Sequence, residues 1–330
     1  MLSTAFIANI KDIFPEARIT LMGGKWATPI MEDSRFIDEI IVYNSNSYNR
    51  GVEKKLTYVE SINFVFDLKR KRFDLIFDLR SDYWIMLYSV ICNTTFRIDF
   101  GAVRVKKYLK GRFINSSLRK GEHYCLRYLD MLDEIKPLKK EMKLCLEIND
   151  EAMKRVENKF MNFGINTSDF VAIIHPFAEW KGREWGIHKF AKIGDYLFSC
   201  YGAKIIITGK KEDRERATEL INLMTTSANN LAGDTTLKEL VALISRANIF
   251  ICNDGGPMHI AAALNIPLVA LFGPTTPLLF SPWCENNKVI YQDMDCSPCE
   301  QRYCKKIPNC MELIKVEKII NAVDELCKVC

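Results

Sequence analysis

No apolar run in the 330-residue sequence approaches the roughly 18 residues that a transmembrane helix needs. The opening segment MLSTAFIANIKDIFPEARIT lacks the basic head, long apolar stretch and small-residue cleavage site of a signal peptide. A large charge excess is absent too, because 46 basic and 41 acidic side chains leave a net charge of only +5. That excess is too small to indicate nucleic-acid binding. These absences predict a cytoplasmic protein without a nucleic-acid partner.

The twelve cysteines of the chain favour a reducing compartment. Half of them are scattered through apolar segments, where small core residues are expected. A secreted protein of this length does not need so many disulfides, and cytoplasmic conditions keep such thiols reduced. The scattered cysteines are Cys92, Cys125, Cys145, Cys200, Cys252 and Cys284.

Short apolar runs alternate with amphipathic segments along the chain. The runs are nearly continuous in Ile, Val and Phe, as in parallel strands buried on both faces. The alternation predicts repeated βαβ units and an α/β fold class. Predicted strands lie at 17–22, 39–43, 73–79, 170–176, 203–209, 247–254 and 267–273. Predicted helices lie at 3–13, 151–163, 187–200, 212–224, 236–245 and 257–264.

A domain boundary is predicted between about 145 and 168. At roughly 150 residues per domain, the chain is long enough for two domains. The charged helix at 151–163 ends at Gly164, a typical C-cap residue, and a new strand then opens. We therefore predict one domain at 1–160 and a second at 161–330.

The strongest chemical signal is the segment ANIFICNDGGPMHIAAALNIPLVALFGPT. A buried strand ends at Asp254, and Gly255 and Gly256 allow the backbone to approach a ligand closely. A helix then begins, so its free N–H groups lie beside the carboxyl end of a parallel strand and form a phosphate site. Asp254 is expected to accept hydrogen bonds from sugar hydroxyls, or alternatively to cap the helix. His259 either donates to a phosphate or packs as a neutral core histidine.

A second signal is the segment HPFAEWKGREW, which also follows a buried strand. Lys181 and Arg183 are placed to neutralise a leaving diphosphate without a metal, and arginine can do so bidentately. The alternative is an exposed basic loop in which Trp180 and Trp185 are core anchors.

At this point the sequence resembles the ADP-heptose:lipopolysaccharide heptosyltransferases, which are the glycosyltransferases of family nine. The most specific resemblance lies at 231–275, and residues 175–200 and 296–311 add to it. Weaker matches in the amino-terminal half are FPEARITLM, FDLIFDLR and HYCLRYLDML. The resemblance implies a GT-B fold, in which two Rossmann-like domains face each other across a cleft.

The resemblance further implies an inverting, metal-independent transfer of heptose from ADP-heptose to a lipopolysaccharide core acceptor. The carboxyl-terminal domain would bind the nucleotide-sugar and the amino-terminal domain the acceptor. Asp254 would contact the sugar, while Gly255, Gly256 and His259 would hold the diphosphate. Arg80, which ends the segment FDLIFDLR, is the candidate for acceptor binding.

The remaining donor contacts follow from the same resemblance. Arg183 lies where the family usually has a phosphate-binding lysine, and Lys181 would add positive charge. Thr235 falls at the edge of the adenine pocket. Asp213, or alternatively Glu212, lies where the family has an acidic residue that can bind ribose.

Three departures from the family affect catalysis. The family begins with a strand and a Gly-Asp loop whose Asp is the presumed base, whereas this sequence starts about where the next helix begins. Both strand and base are therefore expected to be missing, and we expect little transferase activity from this form. Glu179 replaces a small residue in the phosphate loop, where its charge would repel a diphosphate. Gly255 replaces the Ser or Thr that commonly follows the motif Asp.

Four cysteines near the carboxyl end form a separate cluster. Their density is typical of a structural tetrathiolate site for zinc or iron, although the second pair is not a close CxxC copy. Free thiols and a disulfide are the alternatives. The cluster consists of Cys296, Cys299, Cys304 and Cys310.

The segment 104–120 carries seven basic residues and no acidic one. It is either a solvated face or a surface that meets anionic lipid headgroups or a phosphorylated acceptor. The sequence therefore indicates a glycosyltransferase with an ADP-sugar donor and a glycolipid acceptor, free in the cytoplasm or peripheral to the inner membrane face. The alternative is a family member that binds nucleotide-sugar or glycolipid without turnover. A nicotinamide dehydrogenase is disfavoured because no strand leads into GxGxxG.

Overall fold

The computed structural model describes residues 1–25, 27–43, 58–79, 91–92, 94, 96–99, 112–115, 122–133, 135–136 and 142–327. The chain divides into two compact units. The first unit comprises Met1–Thr4 with Lys143–Cys330, and the second comprises Ala5–Met142. The division therefore falls before the helix at 151–163, whereas the sequence placed it after residue 160.

That helix belongs with the carboxyl-terminal unit because of what it packs against. It buries Val156 and Phe160 completely. Arg155 on the same helix donates through Nε to Glu239 Oε1 at 2.7 Å. Lys159 Nζ donates to the carbonyl oxygen of Asp234 at 2.8 Å.

The carboxyl-terminal unit is built on a six-stranded sheet in which every neighbouring pair is parallel. The apolar residues of its four inner strands are at most 2% exposed, as expected for a sheet covered on both faces. The strands are β6 (Val171–His175), β7 (Lys204–Ile207), β8 (Ala228–Asn230), β9 (Ile249–Asn253), β10 (Leu268–Phe272) and β11 (Asn287–Tyr291). Their order in the sheet is β11-β10-β9-β6-β7-β8.

The helices of this unit present apolar faces to the sheet and to one another. The predicted helices are confirmed to within two residues at most ends, because their apolar positions follow the helical period. The helices of this unit are α4 (Asp150–Asn162), α5 (Ile187–Tyr201), α6 (Arg214–Asn222), α7 (Leu237–Ser245), α8 (Gly256–Ala263), α9 (Pro277–Phe280), α10 (Cys310–Leu313) and α11 (Val316–Cys327). The last three of them were not predicted.

The carboxyl-terminal segment packs on α5. The hydroxyls of Tyr196 and Tyr201 both donate to Asp324 Oδ1, at 2.6 and 2.7 Å. Trp185, immediately before α5, donates through Nε1 to the carbonyl oxygen of Ile314 at 2.9 Å. Residues after 310 therefore hold both ends of α5, the helix that follows the predicted phosphate loop at 176–185.

The described elements of the amino-terminal unit are α1 (Thr4–Ile13), β1 (Thr20–Gly23), β2 (Glu39–Val42), α2 (Tyr58–Arg70), β3 (Leu75–Asp78), β4 (Phe96–Asp99), β5 (Arg112–Asn115) and α3 (Tyr124–Asp130). Their strands form two parallel sheets, β1-β2 and β3-β4-β5. The rings of Phe6 and Phe77 meet edge to face at 4.9 Å and link α1 to β3. Among the described residues, no helix is long and apolar enough to cross a membrane.

Two predicted features of this unit fall outside the described residues. Arg80, the candidate for acceptor binding, is one of them. The other is the basic segment at 104–120, of which the structure describes only the backbone of β5.

Candidate nucleotide-sugar site

The carboxyl ends of β6 and β9 are adjacent in the sheet, with His175 paired to Cys252 in the register. Asn253, which is buried, joins the two segments that follow these strands. Its Nδ2 donates to the carbonyl oxygen of Pro176 at 2.7 Å, and its Oδ1 accepts from the Trp185 amide at 3.3 Å. The two motifs singled out in the sequence therefore lie at one edge of the sheet.

Asp254 lies at the centre of this edge and is only 6% exposed. Its Oδ2 accepts from Thr275 Oγ1 at 2.7 Å and lies 3.2 Å from Nη1 of Arg183. Burial raises the pKa of the Asp254 carboxyl above its ordinary value, although Arg183 and Thr275 act to lower it. A buried carboxylate held by one cation and one hydroxyl is well placed to accept further hydrogen bonds from a ligand.

The helix-cap alternative for Asp254 is wrong. The N-cap residue of α8 is Gly255, and no side chain caps this helix end. A Cβ at Gly256 would meet no atom within 4 Å, and at Gly255 the nearest atoms would be 3.9 Å away. The start of α8 is therefore open to the close approach of an anionic group. His259 lies on the first turn of α8 and is half-buried.

Arg183 belongs to a 3-10 turn that spans Lys181–Arg183. Its guanidinium carbon lies 4.0 Å from the centroid of the Trp180 ring. Lys181 Nζ lies 3.0 Å from Oε2 of Glu184, which also binds Arg216 through both carboxylate oxygens. Burial acts to raise the pKa of Glu184, but the hydrogen bonds from Arg216 and Lys181 outweigh it and lower that pKa. The turn is thus held by carboxylates on both sides.

Glu179 is not an isolated negative charge. Lys210, in the segment after β7, donates to its Oε2 at 2.6 Å. The repulsion that the sequence predicted between Glu179 and a diphosphate is therefore offset by a lysine 31 residues away in the chain. Lys210 is a residue of this edge that the sequence analysis did not identify.

Asp213 and Thr235 lie on the neighbouring loops. Oδ2 of Asp213 accepts from the Lys210 amide at 3.0 Å, so this carboxylate closes the turn before α6. Thr235 is half-buried and precedes the N-cap residue of α7. The two loops touch because Gly233, at a φ of +77°, has its Cβ position 2.7 Å from Cα of Lys211. Only a glycine fits there.

His175, at the end of β6, is a half-buried neutral side chain. Its Nδ1 lies 3.0 Å from Oγ1 of Thr208. Burial lowers the pKa of His175 to about 4, and the nearby charge of Lys210 adds to this shift. It therefore contributes hydrogen bonding rather than charge at neutral pH.

The family model for glycosyltransferase family 9 (heptosyltransferase) matches residues 63–308. The chain belongs to this family. It is accordingly a glycosyltransferase, as the resemblance in the sequence predicted.

Characterised relatives agree with this assignment. The lipooligosaccharide heptosyltransferase 2 of Campylobacter jejuni serotype O:2 is 27% identical over 338 residues, covering 99% of this chain and 94% of the relative. The lipopolysaccharide heptosyltransferase 3 of Escherichia coli K12 is 27% identical over 292 residues, covering 87% of this chain and 82% of the relative.

Solved structures establish the fold. The glycosyl transferase family 9 protein from Veillonella parvula matches with a TM-score of 0.84 at 21% identity, covering 99% of this chain and 93% of that one. E. coli ADP-heptose LPS heptosyltransferase II matches with a TM-score of 0.75 at 20% identity, covering 99% and 94%. The predicted α/β GT-B fold is confirmed.

The segment that carries the four clustered cysteines, residues 296–310, packs directly against this edge. We call it the cysteine segment. The Gly182 amide donates to the carbonyl oxygen of Arg302 at 3.0 Å. The amides of Cys299 and Glu300 both donate to the carbonyl oxygen of Pro274, at 3.0 and 2.9 Å. The segment therefore supports both the turn that carries Arg183 and the loop that carries Thr275.

The four clustered cysteines are free thiols in the structure. Burial raises the pKa of the Cys310 thiol, and the other three thiols are close enough to raise it further. Among the described residues, no three His, Cys, Asp or Glu side chains are positioned to hold a metal ion. Zinc or iron at Cys296, Cys299, Cys304 and Cys310 stays a prediction.

Proposed function

We propose that the enzyme transfers heptose from ADP-heptose to a lipopolysaccharide or lipooligosaccharide core acceptor, with inversion and without a catalytic metal. The observation that carries the donor assignment is the Arg183–Asp254 pair beside the open start of α8. Family membership and the names of the relatives support the sugar and the acceptor. The E. coli heptosyltransferase WaaC, a structural neighbour with a TM-score of 0.74, was solved with ADP.

In the proposed reaction the acceptor hydroxyl attacks the anomeric carbon while ADP departs. Negative charge grows on the diphosphate, and Arg183 with the N–H groups of α8 stabilises it. A helix N-terminus contributes up to about 2 kcal/mol to such an anion. Fixed cations and backbone dipoles thus supply the charge stabilisation that a metal ion supplies in other transferases.

Asp254 is proposed to bind the sugar. Its two described partners, Arg183 and Thr275, both engage Oδ2. A carboxylate oxygen accepts more than one hydrogen bond, so the same group can receive a heptose hydroxyl. The sugar would then be oriented against the diphosphate that α8 and Arg183 hold.

The proton of the acceptor hydroxyl needs a base, which typically contributes 10²–10⁴-fold to the rate. Three carboxylates of this edge are already paired with cations: Asp254 with Arg183, Glu184 with Arg216, and Glu179 with Lys210. We assign none of them as the base. The acceptor, a glycolipid at the inner face of the cytoplasmic membrane, is proposed to bind the amino-terminal unit, with Arg80 as a contact.

The test has two stages. Isothermal titration with ADP, UDP and GDP should show ADP binding most tightly to the full chain. Incubation with ADP-heptose and a heptose-deficient lipopolysaccharide should then give an acceptor heavier by one heptose in mass spectrometry. Preference for UDP or GDP would contradict the donor assignment. ADP binding without transfer would contradict the proposed reaction and favour the alternative, a family member that binds nucleotide-sugar without turnover.

A further inference from the structure

The two tryptophans of the phosphate loop have different surroundings. Trp185 is 1% exposed, and its Nε1 donates to the carbonyl oxygen of Ile314. Its ring meets Phe190 edge to face at 5.1 Å. Trp185 is therefore a core anchor, as the alternative interpretation of the sequence had it.

Trp180 is not such an anchor. Its side chain is only partly buried, yet its Nε1 is fully buried and has no hydrogen-bond acceptor among the described residues. Buried polar groups in folded proteins are nearly always hydrogen-bonded, because a buried N–H without an acceptor loses its hydrogen bonds to water and gains none in the protein. An exception of this kind indicates a partner that is not part of the chain.

A second donor beside Trp180 is in the same condition. Arg183 stacks on the Trp180 ring and uses Nη1 to bind Asp254. Its Nε is buried and likewise has no acceptor among the described residues. Two N–H donors on one stacked pair thus lack acceptors at the edge of the sheet where α8 begins.

The charges around this pair favour an anionic acceptor. The guanidinium of Arg302 lies 5.7 Å from the centroid of the Trp180 ring, so two arginines flank the indole. The neighbouring carboxylates of Asp254 and Glu179 are each paired with a cation. A diphosphate carries several acceptor oxygens and negative charge, and it satisfies both donors at once.

We propose that Trp180 is a donor-binding residue whose indole N–H, together with Nε of Arg183, donates to diphosphate oxygens of the nucleotide-sugar. The indole also stacks on the Arg183 guanidinium and fixes its orientation. This inference rests on the proposed function, because it requires a diphosphate at this edge.

The deciding variant is Trp180→Phe, which keeps an aromatic face for Arg183 and removes the indole N–H together with one of the two rings. Isothermal titration should show that the Kd for ADP rises about tenfold or more, the size expected for the loss of one hydrogen bond to a charged group. The Tm of the ligand-free protein should stay level or rise, because a buried donor without an acceptor has been removed. Trp180→Ala, which also removes the aromatic face for Arg183, should weaken ADP binding further.

Trp185→Phe is the matched control, since it removes an indole N–H that has an acceptor within the chain. This substitution should lower the Tm. The ADP affinity of the variant, measured at a temperature well below that Tm, should equal that of the wild type. If Trp180→Phe behaved in this way, Trp180 would be structural and the inference would be overturned. Failure of the wild-type chain to bind ADP would instead overturn the proposed function, and this inference with it.

A spectroscopic measurement on the unaltered protein is independent of how the variants fold. The chain has five tryptophans, so its indole N–H region in ¹⁵N NMR is sparse. ADP should shift the Trp180 indole resonance and leave the Trp185 resonance in place. An unmoved Trp180 resonance at saturating ADP would overturn the inference.

Discussion

Arg183 and Asp254 form an ion pair, with 3.2 Å between Nη1 and Oδ2, although 71 positions separate them in the chain. Each follows a different parallel strand, and the two strands are neighbours in the sheet. Without its partner, either side chain would be an uncompensated charge in this buried position. The pair holds both charges where the proposed reaction uses them.

Replacing Asp254 by Asn should separate the two parts of the donor. The substitution removes the negative charge from the proposed sugar position. It also removes the ion-pair partner of Arg183, so that Arg183 can interact more strongly with phosphate. Affinity for ADP-heptose is therefore expected to fall and affinity for ADP to stay level or increase. Titration calorimetry with both ligands checks this. Equal losses for the two would show that Asp254 does not contact the sugar.

Arg183→Ala should weaken ADP binding by about 1.5–3 kcal/mol, the range for a hydrogen bond to a charged group. Lys181→Ala is the matched control, because Lys181 lies in the same turn but is more than half exposed and binds Glu184. Because Nζ of Lys181 is already bound to Glu184, Lys181→Ala should weaken ADP binding by less than Arg183→Ala does. Equal effects of the two substitutions would indicate a general electrostatic contribution instead of a specific contact.

His175 should make the carboxyl-terminal unit sensitive to acid. Its pKa is about 4 in the folded protein against an ordinary value of 6.5, so the unfolded chain takes up the proton first as the pH falls. The stabilising contribution is complete above pH 6.5 and is lost towards pH 4, and it amounts to roughly 3 kcal/mol at 1.36 kcal/mol per pH unit.

His175→Asn tests this, since its amide can keep a hydrogen bond to Thr208 without titrating. Urea unfolding of the variant should depend less on pH than wild type between pH 7 and 4. Parallel pH profiles would show that His175 is not the group responsible.

Gly182→Ala should disturb the turn that carries Arg183. The new methyl group would lie 2.8 Å from the Gln301 carbonyl oxygen and 3.2 Å from that of Arg302. Backbone cannot rotate away as a side chain can, so we expect about 1–3 kcal/mol of destabilisation together with weaker ADP binding. Thermal melting and titration calorimetry measure the two effects.

Gly23→Ala provides the comparison, because its methyl group would make only an ordinary contact of 3.4 Å with Thr28. It should leave ADP binding unchanged. A Gly182→Ala protein that melts and binds like wild type would show that the cysteine segment does not support the turn.

Local periodicity was enough to predict α4 to α8 and the four inner strands of the carboxyl-terminal unit, whereas α9, α10 and α11 were not predicted. The helix predicted at 187–200 is observed at Ile187–Tyr201, since its apolar positions repeat with the helical period. The edge strands β8 and β11 were missed, because an edge strand is short or partly polar and resembles a loop in sequence.

The candidate site could be predicted in part. Asp254 and Arg183 were identified because each follows a buried strand, and the carboxyl ends of parallel strands meet at one edge. Thr275, Lys210 and Asn253 were missed, since each acts through a partner at least 21 residues away in the chain. No local pattern encodes such pairings.

The attachment of the carboxyl-terminal segment to the phosphate loop bears on the order of folding during synthesis. The loop from Pro176 to Trp185 is supported by Arg302 and Ile314, which leave the ribosome well over a hundred residues later. Translation adds about 5–20 residues per second, so the loop waits about 6–25 s for that support. A nascent chain halted after β11 would therefore hold all six strands of the sheet, while the turn that carries Arg183 would still lack its contact with Arg302.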